Sequence, residues 1–298
     1  MPLSESEELE VLALGALRSV SLQLSDYGDL GMADNGSQSS EETVSNPCPD
    51  LWVVVPVFNE AAGIAPTLQA LTVQNDQNFA LLLVDNGSTD GSAGAIRRLL
   101  SGLPADRWSL IVEPQKGTGA AADTGFRHAI ATGATHVART DADCLPDPDW
   151  ITAIRAGFAS GAELIAGEIR PRLDEKPLRP GEAKFLQFIV AMAARFGCLR
   201  PGNRDPRYLT GYVMTAGNNL AITADLYLQC GGFPRACIEE VHEDRALVNA
   251  ARLLTPNIAH REDMIVQNSL RRLRCWGLWH TLLWYWDHRW LPSEVDIR

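Results

Sequence analysis

The chain has 298 residues, 46% of them hydrophobic, which is enough to bury one large core or two small ones. Its formal net charge is −11, and ten of the 37 acidic residues but only one of the 26 basic residues fall within residues 1–50. The remaining chain is therefore nearly neutral and lacks the basic patch of a nucleic-acid-binding protein, so we expect no nucleic-acid partner.

The cysteines and the N-terminus indicate a cellular compartment. Six cysteines are scattered without a C-x-x-C pair, which favours reduced, mostly buried thiols over a disulfide framework or a zinc site. The first residues are acidic, whereas a signal peptide begins with basic ones, and no apolar run is long enough to span a bilayer. We therefore expect a soluble, cytoplasmic protein that contacts the inner face of a membrane at most peripherally.

Residues 1–50 predict an acidic, partly flexible N-terminal extension. Residues 10–24 have a loosely helical spacing of apolar side chains, which suits docking onto the body of the protein. Residues 26–50 are rich in glycine, serine, asparagine and acidic residues and predict a flexible linker. We expect no catalytic role for either part.

From residue 51 onwards, short apolar runs alternate with helical stretches. Residues 51–57 are apolar throughout, as expected for a strand that a parallel sheet buries on both faces. The alternation predicts an α/β fold with a doubly wound, mostly parallel sheet flanked by helices. The predicted strands cover residues 51–57, 79–84, 108–112, 135–138, 163–169 and 257–259. The predicted helices cover residues 61–73, 120–131, 149–159, 182–197 and 244–254, and one more carries Ala95, Ile96, Leu99 and Leu100.

Charged side chains follow several of these strands directly. In doubly wound sheets, ligands bind outside the carboxyl ends of the strands. The residues at such ends are Glu60, Asp85, Lys116, Asp141 and Asp143. Asp141 and Asp143 are two residues apart, so both carboxylates can point into one space and suit a hard divalent cation and, through it, a diphosphate. The alternative for this pair is a solvated acidic turn.

Two of the loops have a further chemical interpretation. Asp85 could accept a hydrogen bond from a nucleobase N–H, or it could serve a turn or a helix cap together with residues 88–90. Residues 116–119 precede a predicted helix and could face an anion with backbone N–H groups and the helix dipole. This segment has neither the P-loop spacing nor the dinucleotide-binding fingerprint.

Six short motifs follow one another along the body of the chain. Those in the first half are Val54–Glu60, Val84–Ser92 and Asp141–Asp143, and those in the second half are Thr215–Ile222, Gly231–Pro234 and His242–Leu247. In this order they resemble the nucleotide-sugar half and the acceptor half of family 2 glycosyltransferases with the GT-A fold. The resemblance covers residues 51–275 and implies one GT-A catalytic domain, with residues 51–150 as its nucleotide-sugar half and residues 151–275 as its acceptor half.

The resemblance also implies an activity. It is a glycosyltransferase activity of the hexosyltransferase type, in which a sugar moves from a nucleotide-diphosphate donor to a hydroxyl acceptor in a metal-dependent reaction. The acceptor would be a small molecule, a glycan or a lipid-linked molecule, and most members of the family invert configuration. Asp143 with Asp141 would ligate Mn²⁺ or Mg²⁺, and Asp244 would be the general base with Glu243 beside it. The nucleotide sugar would contact Pro56, Phe58, Glu60, Asp85, Lys116, Gly117, Asp141, Ala142 and Asn218.

The last part of the chain adds three features. His260 is a candidate metal or diphosphate ligand, although a lone histidine is more often structural. Residues 268–274 resemble the Ser-x-Arg-Arg segment of small non-processive members of the family, in which Arg271 or Arg272 could clamp the diphosphate. Residues 276–298 hold five of the eight tryptophans, which favours packing onto the body, with interfacial membrane contact as the alternative.

Two other functions stay open from the sequence. A nucleotidyltransferase that forms sugar nucleotides normally has a glycine-rich loop with arginine and lysine after its first strand, whereas residues 57–63 contain no basic residue. A catalytically inactive nucleotide-binding protein of the same fold is the second alternative. The presence of both Asp143 and Asp244 favours an enzyme.

Overall fold

The structure is a computed structural model, and it describes residues 49–175, 201–235 and 242–285, together with residues 181, 184, 185, 188, 192, 197 and 198. Residues 1–48 of the N-terminal extension expected at residues 1–50 lie outside the described residues. Residues 286–298 of the predicted tail and most of the predicted helix at residues 182–197 also lie outside them.

Eight strands of the described chain form one sheet. They are β1 Leu51–Val57, β2 Ala80–Asp85, β3 Trp108–Val112, β4 His136–Arg139, β5 Leu145–Pro146, β6 Leu164–Pro171, β7 Leu220–Thr223 and β8 Ile258–Asn268. Their order in the sheet is β3-β2-β1-β4-β7-β6-β8-β5.

Strands β1 to β4 form a parallel block. β1 pairs in parallel with β2 and β4, and β2 pairs in parallel with β3. The register joins Val57 to Asp85 and Asp85 to Val112, so these three strands end at the same edge of the sheet. This mixed, mostly parallel sheet flanked by helices confirms the predicted fold class.

β7 connects this block to the rest of the sheet. It lies between β4 and β6 and is antiparallel to both. β6 pairs in parallel with β8, and β5 pairs with β8 in the antiparallel direction. β8 is much longer than the strand expected at residues 257–259. A bulge opposite Gly167 and Glu168 lets the charged residues 260–263 continue the strand while several of them face solvent.

The described chain contains seven α-helices, six of which cover the two faces of the sheet. They are α1 Ile64–Thr72, α2 Ser92–Leu100, α3 Thr118–Ala131, α4 Trp150–Ala159, α5 Ala224–Gln229, α6 Glu243–Arg252 and α7 Arg271–Tyr285. One face carries α1, α2 and α4 on a shared hydrophobic core. The opposite face carries α3, α5 and α6 on a second core. Helices on both faces make the sheet doubly wound.

Helix α3 packs unusually close to the sheet. A β-carbon built on Gly125 would lie 2.4 Å from Val54 Cγ1 and 2.9 Å from Val84 Cγ2. These distances are shorter than a van der Waals contact, so glycine is required for α3 to approach β1 and β2 this closely.

Helix α7 crosses the boundary that the sequence predicts at residue 275. Its backbone leaves helical geometry at Gly277, where φ is 75° and ψ is 165°, a conformation that glycine adopts without strain. Trp276 is buried and Trp279 is exposed, so packing onto the body accounts for only one of these two tryptophans. Among the helices that the structure describes, none has the length and apolarity needed to cross a membrane.

Candidate active site

The loop after β1 is fixed by the loop after β2. Asn59 has a left-handed backbone, with φ of 51°, which is uncommon for a non-glycine residue. The backbone N–H of Glu60 donates to Ser92 Oγ at 2.7 Å, and that of Ala61 donates to Asp90 Oδ2 at 2.9 Å. These bonds hold the buried Glu60 side chain at the carboxyl edge of the sheet. A cavity of about 460 Å³ beside it is lined by residues 59–63, Asp90 and Arg271.

Asp85 ends β2 and is buried. Its Oδ1 accepts a hydrogen bond from the backbone N–H of Ser88 at 3.4 Å. The carboxylate therefore supports the turn, which is the structural alternative to a nucleobase contact that the sequence left open for Asp85. Pro56 on β1 pairs with Val84, the residue before Asp85. Pro56 and Asp85, two of the residues expected to contact the nucleotide sugar, therefore lie near the ends of adjacent strands.

Asn86 organises the loop between β3 and α3. Its Nδ2 donates to two carbonyl groups of that loop at 3.0 and 2.7 Å, and its Oδ1 accepts the N–H of Gly117 at 2.8 Å. The Gly117 N–H is thus used within the protein rather than offered to an anion. Lys116 is exposed, and its Nζ lies 5.9 Å from the centre of the Phe58 ring, which brings its charge beside the end of β1.

The Asp141–Asp143 turn is anchored from both sides. Thr67 Oγ1 donates to the carbonyl of Ala142, and Arg172 Nη1 donates to the carbonyl of Asp143, both at 2.8 Å. The two aspartate side chains remain 32% and 27% exposed. The backbone is therefore fixed while the carboxylates stay accessible, which is the arrangement that a ligand site requires.

Arg271 lies at the site, whereas Arg272 faces another way. The Arg271 guanidinium donates to Glu60 at 2.6 and 3.1 Å and to Asp143 Oδ2 at 3.0 Å. Burial alone would lower the pKa of Arg271, but Glu60 and Asp143 outweigh it and raise this pKa, so the side chain is cationic. The Arg272 guanidinium lies over the Trp276 ring, 5.4 Å from its centre. Of the two arginines left open by the sequence, Arg271 is the one beside the aspartate pair.

The acids that open α6 reach the same place from the second half of the chain. Arg139 donates to Asp141 Oδ1 at 3.1 Å and to Glu243 Oε1 at 3.3 Å, so one guanidinium joins the two halves. Asp244 Oδ2 accepts the backbone N–H of Gly217 at 3.1 Å. Burial raises the pKa of Glu243 and of Asp244 above the usual range of carboxyl groups, which suits a general base that works near neutral pH.

Sequence reasoning assigned no role to Arg139. The available signal was its position, because it closes an apolar strand two residues before Asp141. Side chains two residues apart in an extended chain share a face, so an ion pair between Arg139 and Asp141 could have been predicted. Its second partner, Glu243, is 104 residues away in sequence, and only the fold reveals that contact.

Asn218 is buried beside the aspartate turn. Its Nδ2 donates to Cys144 Sγ at 3.4 Å, and its Oδ1 has no hydrogen-bond partner among the described residues. An unpaired buried oxygen is costly, and a ligand hydroxyl would satisfy it.

Burial raises the pKa of Cys144 well above its usual range, so this residue stays a thiol. The described cysteines are all free, and because only Cys144 of these is fully buried, the expectation of mostly buried thiols is wrong for them.

His260 is not brought to the aspartate pair. It pairs with Ala166 near the start of β8, whereas Asn268, at the other end, lies 3.4 Å from Cys144. Ala166 and Pro171, the β6 partners of His260 and Asn268, are five residues apart, so His260 lies about 16 Å along the sheet from Asn268, at roughly 3.3 Å per residue. His260 Nε2 is 3.9 Å from a Glu168 carboxylate oxygen. We therefore leave His260 out of the metal site.

Known proteins resemble this chain over part of its length. The family model described as Glycosyl transferase family 2 matches residues 52–210, a little over half of the chain. The glycosyltransferase AglE of Haloferax volcanii is 31% identical over 130 residues, which cover 42% of this chain and 41% of that protein. The undecaprenyl-phosphate 4-deoxy-4-formamido-L-arabinose transferase of Aeromonas hydrophila is 27% identical over 155 residues, which cover 49% of this chain and 46% of that protein. This chain therefore spans less than half the length of these two relatives.

Solved structures have the same fold. The mannosyltransferase PcManGT from Pyrobaculum calidifontis, in complex with GDP-Man and Mn²⁺, gives a TM-score of 0.56 at 20% identity over 88% of this chain and 67% of that chain. S. aureus TarS 1–349 in complex with UDP-GlcNAc gives a TM-score of 0.54 at 14% identity over 74% of this chain and 58% of that chain. These similarities establish the GT-A fold that the sequence motifs predict.

Proposed function

This chain belongs to glycosyl transferase family 2, and on that premise we propose that it is an enzyme that transfers a sugar from a nucleotide-diphosphate donor to a hydroxyl acceptor. The observation that carries the proposal is the meeting, at one edge of the sheet, of acidic side chains from both halves of the chain. They are Glu60, Asp141, Asp143 and Glu243, joined in pairs by two arginines. A group transfer needs the donor site and the acceptor's base within reach of one carbon atom.

The donor side of the proposal rests on the strand ends. In this proposal Pro56 and Asp85 line the pocket for the base and ribose, and the unpaired Asn218 oxygen accepts a hydrogen bond from a sugar hydroxyl. Lys116 and Arg271 supply the positive charge that a diphosphate needs. The two similar solved structures contain GDP-Man and UDP-GlcNAc, which supports a sugar nucleotide as the donor class.

A divalent cation, Mn²⁺ or Mg²⁺, is part of the proposal. Asp143 and Asp141 would hold it, and Asp143 already binds a cationic group, because the Arg271 guanidinium lies 3.0 Å from its Oδ2. The described residues contain no group of three metal-ligating side chains. Diphosphate and water oxygens would therefore complete the coordination, as is usual for Mg²⁺. When bound, the cation offsets the charge that develops on the departing diphosphate.

Asp244 acts as the general base in this proposal. Its carboxylate takes the proton of the acceptor hydroxyl while the hydroxyl oxygen bonds to the anomeric carbon of the sugar. The bond from that carbon to the diphosphate breaks, and its electron pair leaves with the nucleoside diphosphate. A positioned base contributes roughly 10²- to 10⁴-fold. Attack from the face opposite to the diphosphate inverts the configuration of the sugar.

For the acceptor, we favour a lipid-linked molecule over a free glycan or another small molecule. The Aeromonas relative is named as an undecaprenyl-phosphate transferase, and undecaprenyl phosphate is a lipid. The exposed Trp279 on α7 supports contact with a lipid surface, so the protein would work at the inner face of a membrane. Sugar transfer to free glycans but never to a detergent-solubilised polyprenyl-linked sugar, which offers the same kind of hydroxyl group, would overturn this choice.

Thermal unfolding with nucleotides tests the donor site. The protein is heated with UDP, GDP, CDP or dTDP, each with and without Mn²⁺. A ligand that binds only the folded state stabilises it by about 2.7 kcal/mol at a hundredfold excess over its dissociation constant. We expect one nucleotide to raise the melting temperature, to require Mn²⁺, and to lose its effect in Asp143→Ala.

Asp106→Ala is the matched control, because Asp106 is an exposed aspartate in the loop before β3. It should keep the nucleotide-dependent shift. Folded protein that shows no shift with any of the four nucleotides would contradict the proposed donor site. The nucleotide that does shift the melting temperature then selects the sugar nucleotides for acceptor screening.

A further inference from the structure

Arg139 is a buried cation to which the proposed reaction assigns no step. It ends β4, and its side chain is 2% exposed. A charged group is rarely buried this completely unless partners compensate for the loss of water. Its partners are two carboxylates from opposite halves of the chain, Asp141 at 3.1 Å and Glu243 at 3.3 Å.

The space around this guanidinium is shaped to hold it. The ring of Phe233 lies 5.5 Å from the guanidinium carbon, within the range of a cation–π contact. A β-carbon built on Gly217 would lie 2.9 Å from Arg139 Nη1 and 3.0 Å from its Cζ. The same Gly217 donates its N–H to Asp244 at 3.1 Å. Arg139 therefore packs against the residue that holds Asp244 and bonds to the residue beside it.

We propose that Arg139 is a positioning residue, which holds the Glu243–Asp244 pair at a fixed place relative to Asp141 without touching either substrate. This inference rests on the proposed function, because it concerns the distance between the donor site and the base. The Arg139 guanidinium bonds to Asp141 and to Glu243 at the same time, so a single side chain links the two halves of the chain.

A role in stability alone would not require arginine here. Val137 and Ala138, which precede it in β4, are fully buried apolar residues, and replacing a buried ion pair by apolar residues is often neutral for stability. The arginine instead occurs at the last position of β4, from which its side chain reaches acids of both halves. A displacement of about 1 Å at a reacting group can lower the rate by about 100-fold.

Three substitutions separate positioning from binding. Arg139→Met removes the charge, Arg139→Lys keeps it but cannot bond both carboxylates with one planar fork, and Gly217→Ala pushes the guanidinium without removing any charge. Gly211→Ala is the matched control, because it lies in the same loop with no atom within 4 Å of the added carbon. Activity is measured as transfer of the sugar from GDP-Man or UDP-GlcNAc to water in the presence of Mn²⁺. The nucleoside diphosphate that is released reports the rate.

We expect Arg139→Met and Gly217→Ala to lower kcat by about 100-fold, with Arg139→Lys restoring part of the rate. The donor KM and the nucleotide-dependent thermal shift should stay close to those of the unmodified protein and of Gly211→Ala. If Arg139→Met does not fold, Gly217→Ala decides the question. In addition, Arg139→Lys combined with Glu243→Gln should be no slower than the slower single variant, because both act on one unit.

Two results would overturn the positioning role. One is an unchanged kcat in Gly217→Ala and Arg139→Lys, and the other is a loss of nucleotide affinity as large as the loss of kcat. Failure of the proposed function gives a different result. In that case the unmodified protein itself shows no nucleotide-dependent shift and releases no nucleoside diphosphate, whereas failure of the positioning role alone leaves both intact.

Discussion

Replacing Arg271 by alanine should weaken nucleotide binding somewhat more than it weakens the fold. The guanidinium donates to Glu60 at 2.6 and 3.1 Å and to Asp143 at 3.0 Å, and a bound diphosphate would take over part of these bonds. A hydrogen bond to a charged group contributes about 1.5–3 kcal/mol. Losing one such bond in the nucleotide complex corresponds to a rise in the dissociation constant of about 10- to 150-fold, since about 1.4 kcal/mol is tenfold.

The nucleotide-free protein should respond differently to the same substitution. The Arg271 and Asp143 side chains are 30% and 27% exposed, so water screens part of the interaction. We expect the free energy of unfolding to fall by about 1–2 kcal/mol, which is roughly 2–8 °C in melting temperature for a domain of this size. Because the substitution also removes a competing cation from Asp143, Mn²⁺ without nucleotide should bind at least as tightly as before.

Calorimetric titration measures both affinities directly. The variants are titrated with the nucleotide that stabilises the protein in the presence of Mn²⁺, and with Mn²⁺ alone. Arg272→Ala tests the adjacent arginine, and Arg97→Ala, an exposed arginine on α2, controls for the loss of one positive charge. Unchanged nucleotide affinity in Arg271→Ala would refute the reasoning. So would an equal loss for Mn²⁺ alone, because Arg271 would then act by holding the carboxylates in place.

Three other predictions concern the base and the core. Asp244→Asn should lower kcat about 10²- to 10⁴-fold while the nucleotide-dependent thermal shift persists, and a rate equal to that of the unmodified protein would remove Asp244 from the mechanism. Because the base must be deprotonated and burial raises the pKa of Asp244, kcat should rise with pH through a midpoint above that of an ordinary aspartate. A kcat already at its plateau near pH 4, at about the ordinary pKa, would contradict this. Gly125→Ala should lower the free energy of unfolding by about 1–3 kcal/mol, because its β-carbon would lie 2.4 Å from Val54 Cγ1, whereas Gly102→Ala meets no atom within 4 Å. Denaturant unfolding that gives equal stabilities for the two variants would disprove the tight packing of α3.

The parallel strands could be located from the sequence, whereas β8 could not. A strand buried on both faces is an uninterrupted apolar run, and the expected strand at residues 79–84 differs from Ala80–Asp85 by one position. β8 continues through the charged residues 260–263, and its apolar pattern resumes only at Met264, within the bulge. Pairing with β6, which lies about a hundred residues earlier, decides the length of β8, and no local composition records that pairing.

The acidic residues of the site could be predicted, whereas the arginines that pair with them could be predicted only in part. Acids at strand ends converge because the parallel strands β1 to β4 bring their carboxyl ends to one edge of the sheet. Arg271 and Arg272 are adjacent on a helix and point about 100° apart, so only the placement of α7 decides which of them reaches Asp143. The role of Arg139 could not be predicted for a different reason. It extends an apolar strand, and its second partner, Glu243, belongs to the other half of the chain.

The two arginines that hold the aspartate pair differ in how readily they can move. The Arg139 side chain is 2% exposed and packs against Gly217. The Arg271 side chain is 30% exposed, and Arg271 is the first residue of α7. Under the proposed function, donor binding would therefore displace Arg271 from Asp143 more easily than it would displace Arg139 from Asp141. Asp143 would then become available to the incoming donor while Arg139 still links Asp141 to Glu243. The distance between the proposed donor site and the proposed base would thus be kept while donors exchange, and for this reason substitution of Arg271 should change nucleotide affinity whereas substitution of Arg139 should change kcat.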